Sequence, residues 1–230
     1  MSDKNVCLIP AKAASSRLPL KNLLKINGKE LLFYGINAAL TSNLFGEHLY
    51  VSTESSKIKD IAEKYGAKVP YLRSKELSVD PAGVVDVALD FFNRLPTYRS
   101  FENLFIILPT APLIQPVDIL KSYEVYVNSK ADCLMSVAET EHNAVRSVFL
   151  KDQKIVPLFK ESMSKKSQEL EKTYDINGAI AIIKIEQFIA KKTYFIYPMT
   201  GYVMPREKSV DIDTKTDYLW AKFLMESNEK

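Results

Sequence analysis

Between Val6 and Leu72 the chain switches repeatedly between short apolar runs and stretches of helical spacing, and that alternation restricts the fold. Val6 to Ile9 reads as a strand. Leu31 to Phe45, after an Asn27-Gly28 turn, places Leu32, Ile36, Ala39 and Leu40 on one helical face. His48 to Ser52 reads as a strand, Ser55 to Tyr65 as a helix capped by Ser55 or Ser56 and stopped by Gly66, and Lys68 to Leu72 as a further strand. Strand, helix, strand, helix, strand predicts an α/β chain with a parallel sheet covered by helices on both faces. Ligands of such sheets gather at the carboxyl ends of the strands.

The pattern continues with a helix over Val84 to Leu95, a buried central strand over Leu104 to Leu108, a helix over Val117 to Val127 entered after Pro116, and a strand over Cys133 to Ala138. Lys151 to Lys172 breaks it: polar, lysine-rich and poor in glycine, this stretch reads as a solvated excursion from the sheet that carries a subunit contact. Ala179 to Ile185, Tyr194 to Tyr197 and the short Val210 to Ile212 return to strand type. An amphipathic helix over Asp217 to Met225 follows, carrying the only tryptophan, Trp220. With 230 residues, 47% of them hydrophobic, the chain supports one sizeable core and does not require two domains.

Charge and cysteine usage exclude several classes. The 31 basic and 28 acidic residues nearly balance, and no basic cluster is interleaved with aromatics, so no nucleic-acid footprint is present. The N-terminus enters a strand without the apolar region of a signal peptide, and no apolar run reaches the ~18 residues of a membrane span, so a cytoplasmic chain is expected with no membrane contact. Cys7 and Cys133 sit in apolar strands without metal-ligand partners and read as buried, reduced thiols. His48 and His142 have no serine or cysteine at triad spacing.

Two stretches hold candidate chemistry. After the first strand, Ala11, Ala13, Ala14, Ser15 and Ser16 form a small-residue loop set among three cations, Lys12, Arg17 and Lys21. Small residues let backbone N–H groups approach anionic oxygens while the long cations reach over them, which suits a polyphosphate. A strand-to-loop connection with solvated charges fits the same residues equally well. Near the other end stands Asp211-Ile212-Asp213-Thr214. On a strand, Asp211 and Asp213 share one face about 7 Å apart and present hard oxygens that suit Mg²⁺. Alternatively, Asp213 caps the last helix and Asp211 is solvated.

A resemblance separates these alternatives. Ser15, Pro19, Lys21 and Asn22 match the Arg-x-x-Ser-Lys-x-x-Pro-x-Lys-Asn loop of the sialate cytidylyltransferases, and Ser15 to Pro19 with Lys21 is similar to the Ser-Thr-Arg-Leu-Pro-x-Lys run of the related Kdo enzymes. Arg73 to Asp80 resembles that family's Arg-x-x-x-Leu-x-x-Asp segment, Leu108 to Leu113 its Gln-Pro-Thr-Ser-Pro-Leu stretch, and Asn177 to Ile180 its Asn-Gly-Ala-Ile. Asp211 and Asp213 fall where the family has an Asp-x-Asp. These segments occur in the family's order over most of the chain.

The resemblance implies a Rossmann-like, three-layer nucleotidyltransferase fold with a mixed, mainly parallel sheet. It implies a homodimer whose dimerisation subdomain lies at roughly 139–175. It further implies transfer of CMP from CTP to an acidic 2-keto sugar of the sialic, legionaminic or pseudaminic type, with Kdo or another unusual acid, or a homologue that binds nucleotide without turnover, as alternatives. Lys21, Arg17 and Asp211 would be catalytic. Ala11, Lys12, Ser15, Lys21, Asn22, Arg73 and Asp80 would bind nucleotide, Leu108, Arg146 and Asn177 would face the sugar, and Asp211 and Asp213 would hold Mg²⁺. Departures stand at Lys12, where the family has arginine, at Ser16, where the sialate branch has lysine, and on the sugar side at Leu108, Ile114, Asp175 and Ala181. Lysine for arginine keeps the charge and loses the bidentate fork. Apolar groups in place of hydrogen-bonding ones change which substrate the pocket accepts, because an unpaired polar group costs about 1–3 kcal/mol.

Overall fold

The computed structural model describes residues 4–15, 17–95 and 100–227. In chain order the elements are β1 (Asn5–Pro10), β2 (Lys25–Ile26), β3 (Lys29–Glu30), α1 (Leu31–Thr41), β4 (Leu49–Ser52), α2 (Ser56–Lys64), α3 (Val84–Arg94) and β5 (Asn103–Ile107). They continue with α4 (Pro116–Ser129), β6 (Cys133–Glu139), β7 (Val148–Lys151), β8 (Lys154–Pro157), β9 (Tyr174–Lys184), α5 (Ile185–Lys191), β10 (Met199–Val203) and α6 (Lys215–Ser227). Six strands form one sheet in the order β10-β6-β9-β5-β1-β4. Neighbours run parallel except on either side of β9, which is antiparallel to both β5 and β6.

Both sheet faces are apolar, as a parallel sheet covered twice requires. On one face Cys7, Ile9, Val51, Phe105, Ile107 and Ile182 pack beneath Leu32 and Ile36 of α1, Ile58 and Ala62 of α2, and Ile119 and Tyr126 of α4. On the other, Val6, Leu8, Leu104, Ile106 and Met135 meet Ala88, Phe91 and Phe92 of α3 and Phe188 of α5. Adjacent residues of β1 and β5 thus enter opposite cores, the alternation that a pleated strand imposes. Gly35 in α1 lets this helix approach the sheet closely: a Cβ there would sit 3.4 Å from Ile107. Cys7 and Cys133 are buried and unbridged, and burial pushes the Cys133 thiol up to about 11.

Three expected strands differ. Lys68 makes one parallel bridge with Tyr50 and the ladder ends there, because Pro70 has no N–H to extend it. Tyr194 to Tyr197 is an irregular segment bent at Tyr194 and Tyr197, and the sixth sheet strand is instead β10, starting at Met199. Gly201 in its middle gives β10 a weak strand signal, but it allows the backbone close to Val137 of β6. Val210 to Ile212 is extended but unladdered, tied to the sheet end by one bond from the Ile212 N–H to the Thr110 carbonyl (2.8 Å). Asp211 and Asp213 therefore flank a buried Ile212 on a tethered coil.

A third, smaller core fixes that coil. Ile212 and Ala221 of α6 bury against Ile26 of the β2–β3 hairpin and Leu31 at the start of α1, with Leu18 at the margin. Tyr218 also donates to the Lys25 carbonyl (2.7 Å). The C-terminal segment is thereby held beside the loop that follows β1.

Candidate active site

The loop after β1 and the coil before α6 meet across the carboxyl end of the sheet. A cleft of about 230 Å³ opens there, lined by Lys12, Lys21, Asn22, Arg73, Leu108, Thr110, Asp211 and Asp213 among others. A larger cleft of about 1020 Å³ adjoins it, with walls that include Glu139, Asp175, Asn177, Gly178, Arg206, Asp217 and Trp220. Asp211 lines both. It is the shared wall of a small, cation-lined cleft and a wide one.

Ion pairs hold the two segments together. Asp213 accepts from Arg17 Nη2 at 2.7 Å through Oδ2 and from Lys21 Nζ at 2.8 Å through Oδ1. Burial opposes ionisation of Asp213, but the hydrogen bonds and charges of Lys21 and Arg17 hold its carboxyl below the usual carboxylate range. Asp211 shifts the other way. Desolvation by the cleft walls, with the neighbouring Asp213 and Asp217 carboxylates, holds it above that range, against a Thr110 side-chain hydrogen bond and the charge of Lys21. Asp217, in the first turn of α6, accepts from the backbone N–H groups of Asp213 (3.1 Å) and Thr214 (2.7 Å) while Thr214 Oγ1 accepts from the Asp217 N–H (3.3 Å), the reciprocal pairing of a helix start.

Sequence reasoning missed Glu54, which follows β4. Its carboxylate accepts from the Ala13 N–H (2.7 Å) and the Ala14 N–H (3.4 Å) through one oxygen, and from Ser78 Oγ (2.7 Å) and Arg73 Nη2 (3.4 Å) through the other. Arg73, 5% exposed, also donates to the Ser52 carbonyl (3.0 Å) and Ser78 Oγ (3.1 Å). The signal in the sequence was an acid two residues beyond a parallel strand's carboxyl end, on the side where ligands gather. With Ala13 and Ala14 donating to Glu54, and Ala11 donating to the Ser52 carbonyl (2.9 Å), the loop is braced by protein acceptors rather than open as a bare N–H cradle.

The remaining candidates separate. Asn22 is buried, donates to the Lys12 carbonyl (2.9 Å) and leaves Oδ1 without a partner at the cleft wall. Ser15 and the exposed Asp80 do not line either cleft, and Ser16 lies outside the described residues. Leu108 lines the small cleft, against Gly178. Asn177 lines the large cleft, but its amide accepts from Ser136 Oγ (2.5 Å) and the Ala179 N–H and donates to Ser209 Oγ (2.9 Å), bracing the irregular β6–β9 pairing beside Gly178 at φ +70°. Arg146 lies apart. It lines a neighbouring cleft that shares Glu139, Thr140, Glu141 and His142 with the large one, and donates to the Lys165 carbonyl.

Among the described residues no group of three or more histidine, cysteine, aspartate or glutamate side chains is arranged to hold a metal. Asp211 and Asp213 do fit a hard ion such as Mg²⁺, which takes one or two protein carboxylates and completes its shell with phosphate and water. No helix of the described residues is long and apolar enough to cross a membrane.

The chain is 34% identical over 230 residues to a pseudaminic acid cytidylyltransferase of Campylobacter jejuni, covering 99% of this chain and 98% of the relative. It is 31% identical to a CMP-N,N'-diacetyllegionaminic acid synthase of Legionella pneumophila over 98% of this chain and 97% of that one. The fold matches the structure of a CMP:2-keto-3-deoxy-manno-octonic acid synthetase complexed with CTP, with a TM-score of 0.72, 16% identity, and coverage of 98% and 99%. A family model described as cytidylyltransferase matches residues 6–221, and the chain belongs to that family.

Proposed function

We propose that this protein transfers the cytidylyl group of CTP to the anomeric hydroxyl of an acidic 2-keto sugar of the pseudaminic, legionaminic or sialic type. The hydroxyl oxygen forms a bond to the α-phosphorus, the bond from that phosphorus to the pyrophosphate oxygen breaks, and the hydroxyl proton passes to solvent. The observation that carries this reading is the position of Asp211 between a small cleft lined by Lys12, Lys21 and Arg73 and a wide one able to take a nine-carbon sugar. Full-length similarity to enzymes that activate such sugars supports the substrate class.

In this reaction the protein positions groups and stabilises charge, with little covalent chemistry of its own. Lys21, Arg17 and Lys12 hold the triphosphate and offset the charge that grows on pyrophosphate as it leaves. Asn22, in the wall of the small cleft, contacts the nucleotide, and Arg73 stands behind the base side of the cleft. Asp211 and Asp213 would hold Mg²⁺, which when bound would supply charge neutralisation on the phosphates. Asp211 orients the reacting groups where the two clefts join. The protein acts as a cytoplasmic homodimer, for which the exposed apolar β7–β8 hairpin and the segment after it offer a surface.

Asp211→Ala tests the assignment. Turnover with Mg²⁺ should fall at least about 100-fold while CTP affinity measured in EDTA changes less than about threefold, since the residue acts at the junction and through the metal and not in the direct phosphate grip. Equal losses in both would count against it.

A further inference from the structure

The residues assigned to the triphosphate and those assigned to the metal are bound to one another. Asp213 engages Arg17 and Lys21 at once, one oxygen to each, at 2.7 and 2.8 Å. A carboxylate accepting from two different cations occupies them as a phosphate oxygen pair would. The Lys21 pair is well enclosed, with 13% of the Lys21 side chain exposed, whereas the Arg17 side chain is 65% exposed and free to swing. Asp213 is itself held by the third core through Ile212 and by Asp217, which accepts from its backbone N–H. The backbone at Asp213 is therefore fixed, while its carboxylate is held only by the two cations and can turn about its side-chain bonds.

We infer that Asp213 stands in for the triphosphate in the free protein and releases Arg17 and Lys21 only when it turns to a divalent ion, so that nucleotide and metal load with positive coupling. This rests on the cytidylyltransferase reading above. Without the metal, the phosphates of CTP must compete with Asp213 for both cations. With the metal, Asp213 gains a partner of higher charge and the cations are free for phosphate. Each ligand therefore strengthens binding of the other by one common factor, as linkage requires. Asp213 is on this account a positioning residue that keeps the loop after β1 closed down before substrate arrives.

The test is calorimetric titration of CTP into the full-length protein, in EDTA and in excess Mg²⁺, for wild type, Asp213→Asn and Asp213→Ala. In EDTA both variants should bind CTP more tightly than wild type, by about five- to twentyfold, because two cations have lost their competitor. In Mg²⁺ they should bind no more tightly than wild type, so the ratio of the two dissociation constants falls toward one. Tighter metal-free binding by a variant cannot come from misfolding. Metal-free binding that is unchanged or weaker in both variants would overturn the inference and leave the functional reading standing. Failure of wild type to bind CTP in either condition would overturn both.

Discussion

Arg73 and Glu54 form the buried ion pair on which the loop after β1 rests, with side chains 2% and 10% exposed. Each is satisfied by more than the other: Arg73 reaches Ser52 and Ser78, and Glu54 takes the loop N–H groups. Removing one partner leaves the other charged and desolvated, which costs about 3–5 kcal/mol. Arg73→Ala should therefore lower unfolding free energy by that amount in urea titration at neutral pH. A loss below about 1 kcal/mol would show that the pair is solvated. This pair also marks the limit of what the residues disclosed in isolation. Lys12, Lys21, Asn22, Asp211 and Asp213 were legible because loop and Asp-x-Asp patterns are local in sequence, and the fold brings them to one cleft. Glu54 was not, because its role comes from a contact with Ala13 across 41 positions of chain. Asn177 lines the large cleft, and its amide also braces the β6–β9 irregularity, a contact that runs between distant parts of the chain.

At the scale of elements, β1, α1, β4, α2, α3, β5, α4 and β6 were readable because each keeps one period over its length and ends at a recognisable cap or breaker. Ser55 caps α2 by accepting from the Ile58 N–H, and Gly66 takes the left-handed φ of +93° after it. What sequence could not give was the direction of β9, since a fully buried strand has the same composition either way. The hairpin of β7 and β8 is the other such case. Its second half falls in the lysine-rich stretch from Lys151 that reads as polar, yet the hairpin exposes Phe149, Leu150, Ile155 and Val156, with Leu158 and Phe159 just beyond. Phe149 pairs with Val156 and Leu150 with Ile155. Exposed apolar side chains concentrated on one projecting element mark an interaction surface, and the occupant expected here is a second copy. Leu150→Glu with Ile155→Glu should convert a dimer to a monomer in light scattering. A wild-type protein that is monomeric at micromolar concentration would contradict this.

For the molecule as a whole, the two aspartates weigh oppositely on stability. Asp213 has a depressed pKa in the folded state, so its stabilising contribution is present above the ordinary carboxylate pKa and is lost as pH falls through the depressed value. Asp211 has a raised one, so its ionised form costs stability at neutral pH and the cost disappears as pH falls and it protonates. Asp211→Asn should therefore raise Tm at pH 7, on the order of 2 °C, with a gain that shrinks toward pH 4. A calorimetric scan showing a lower Tm at pH 7 would contradict that sign. Such a gain, together with lost turnover, is what a site holding an unfavourable charge for function should show. The account of the whole protein is tested most directly by pyrophosphate release from CTP and Mg²⁺ across pseudaminic, legionaminic, sialic and Kdo acids, with Asp211→Ala alongside. The expected result is turnover with one nine-carbon acid that disappears in the variant. Silence with every sugar while CTP binds, or release that persists in Asp211→Ala, would contradict it.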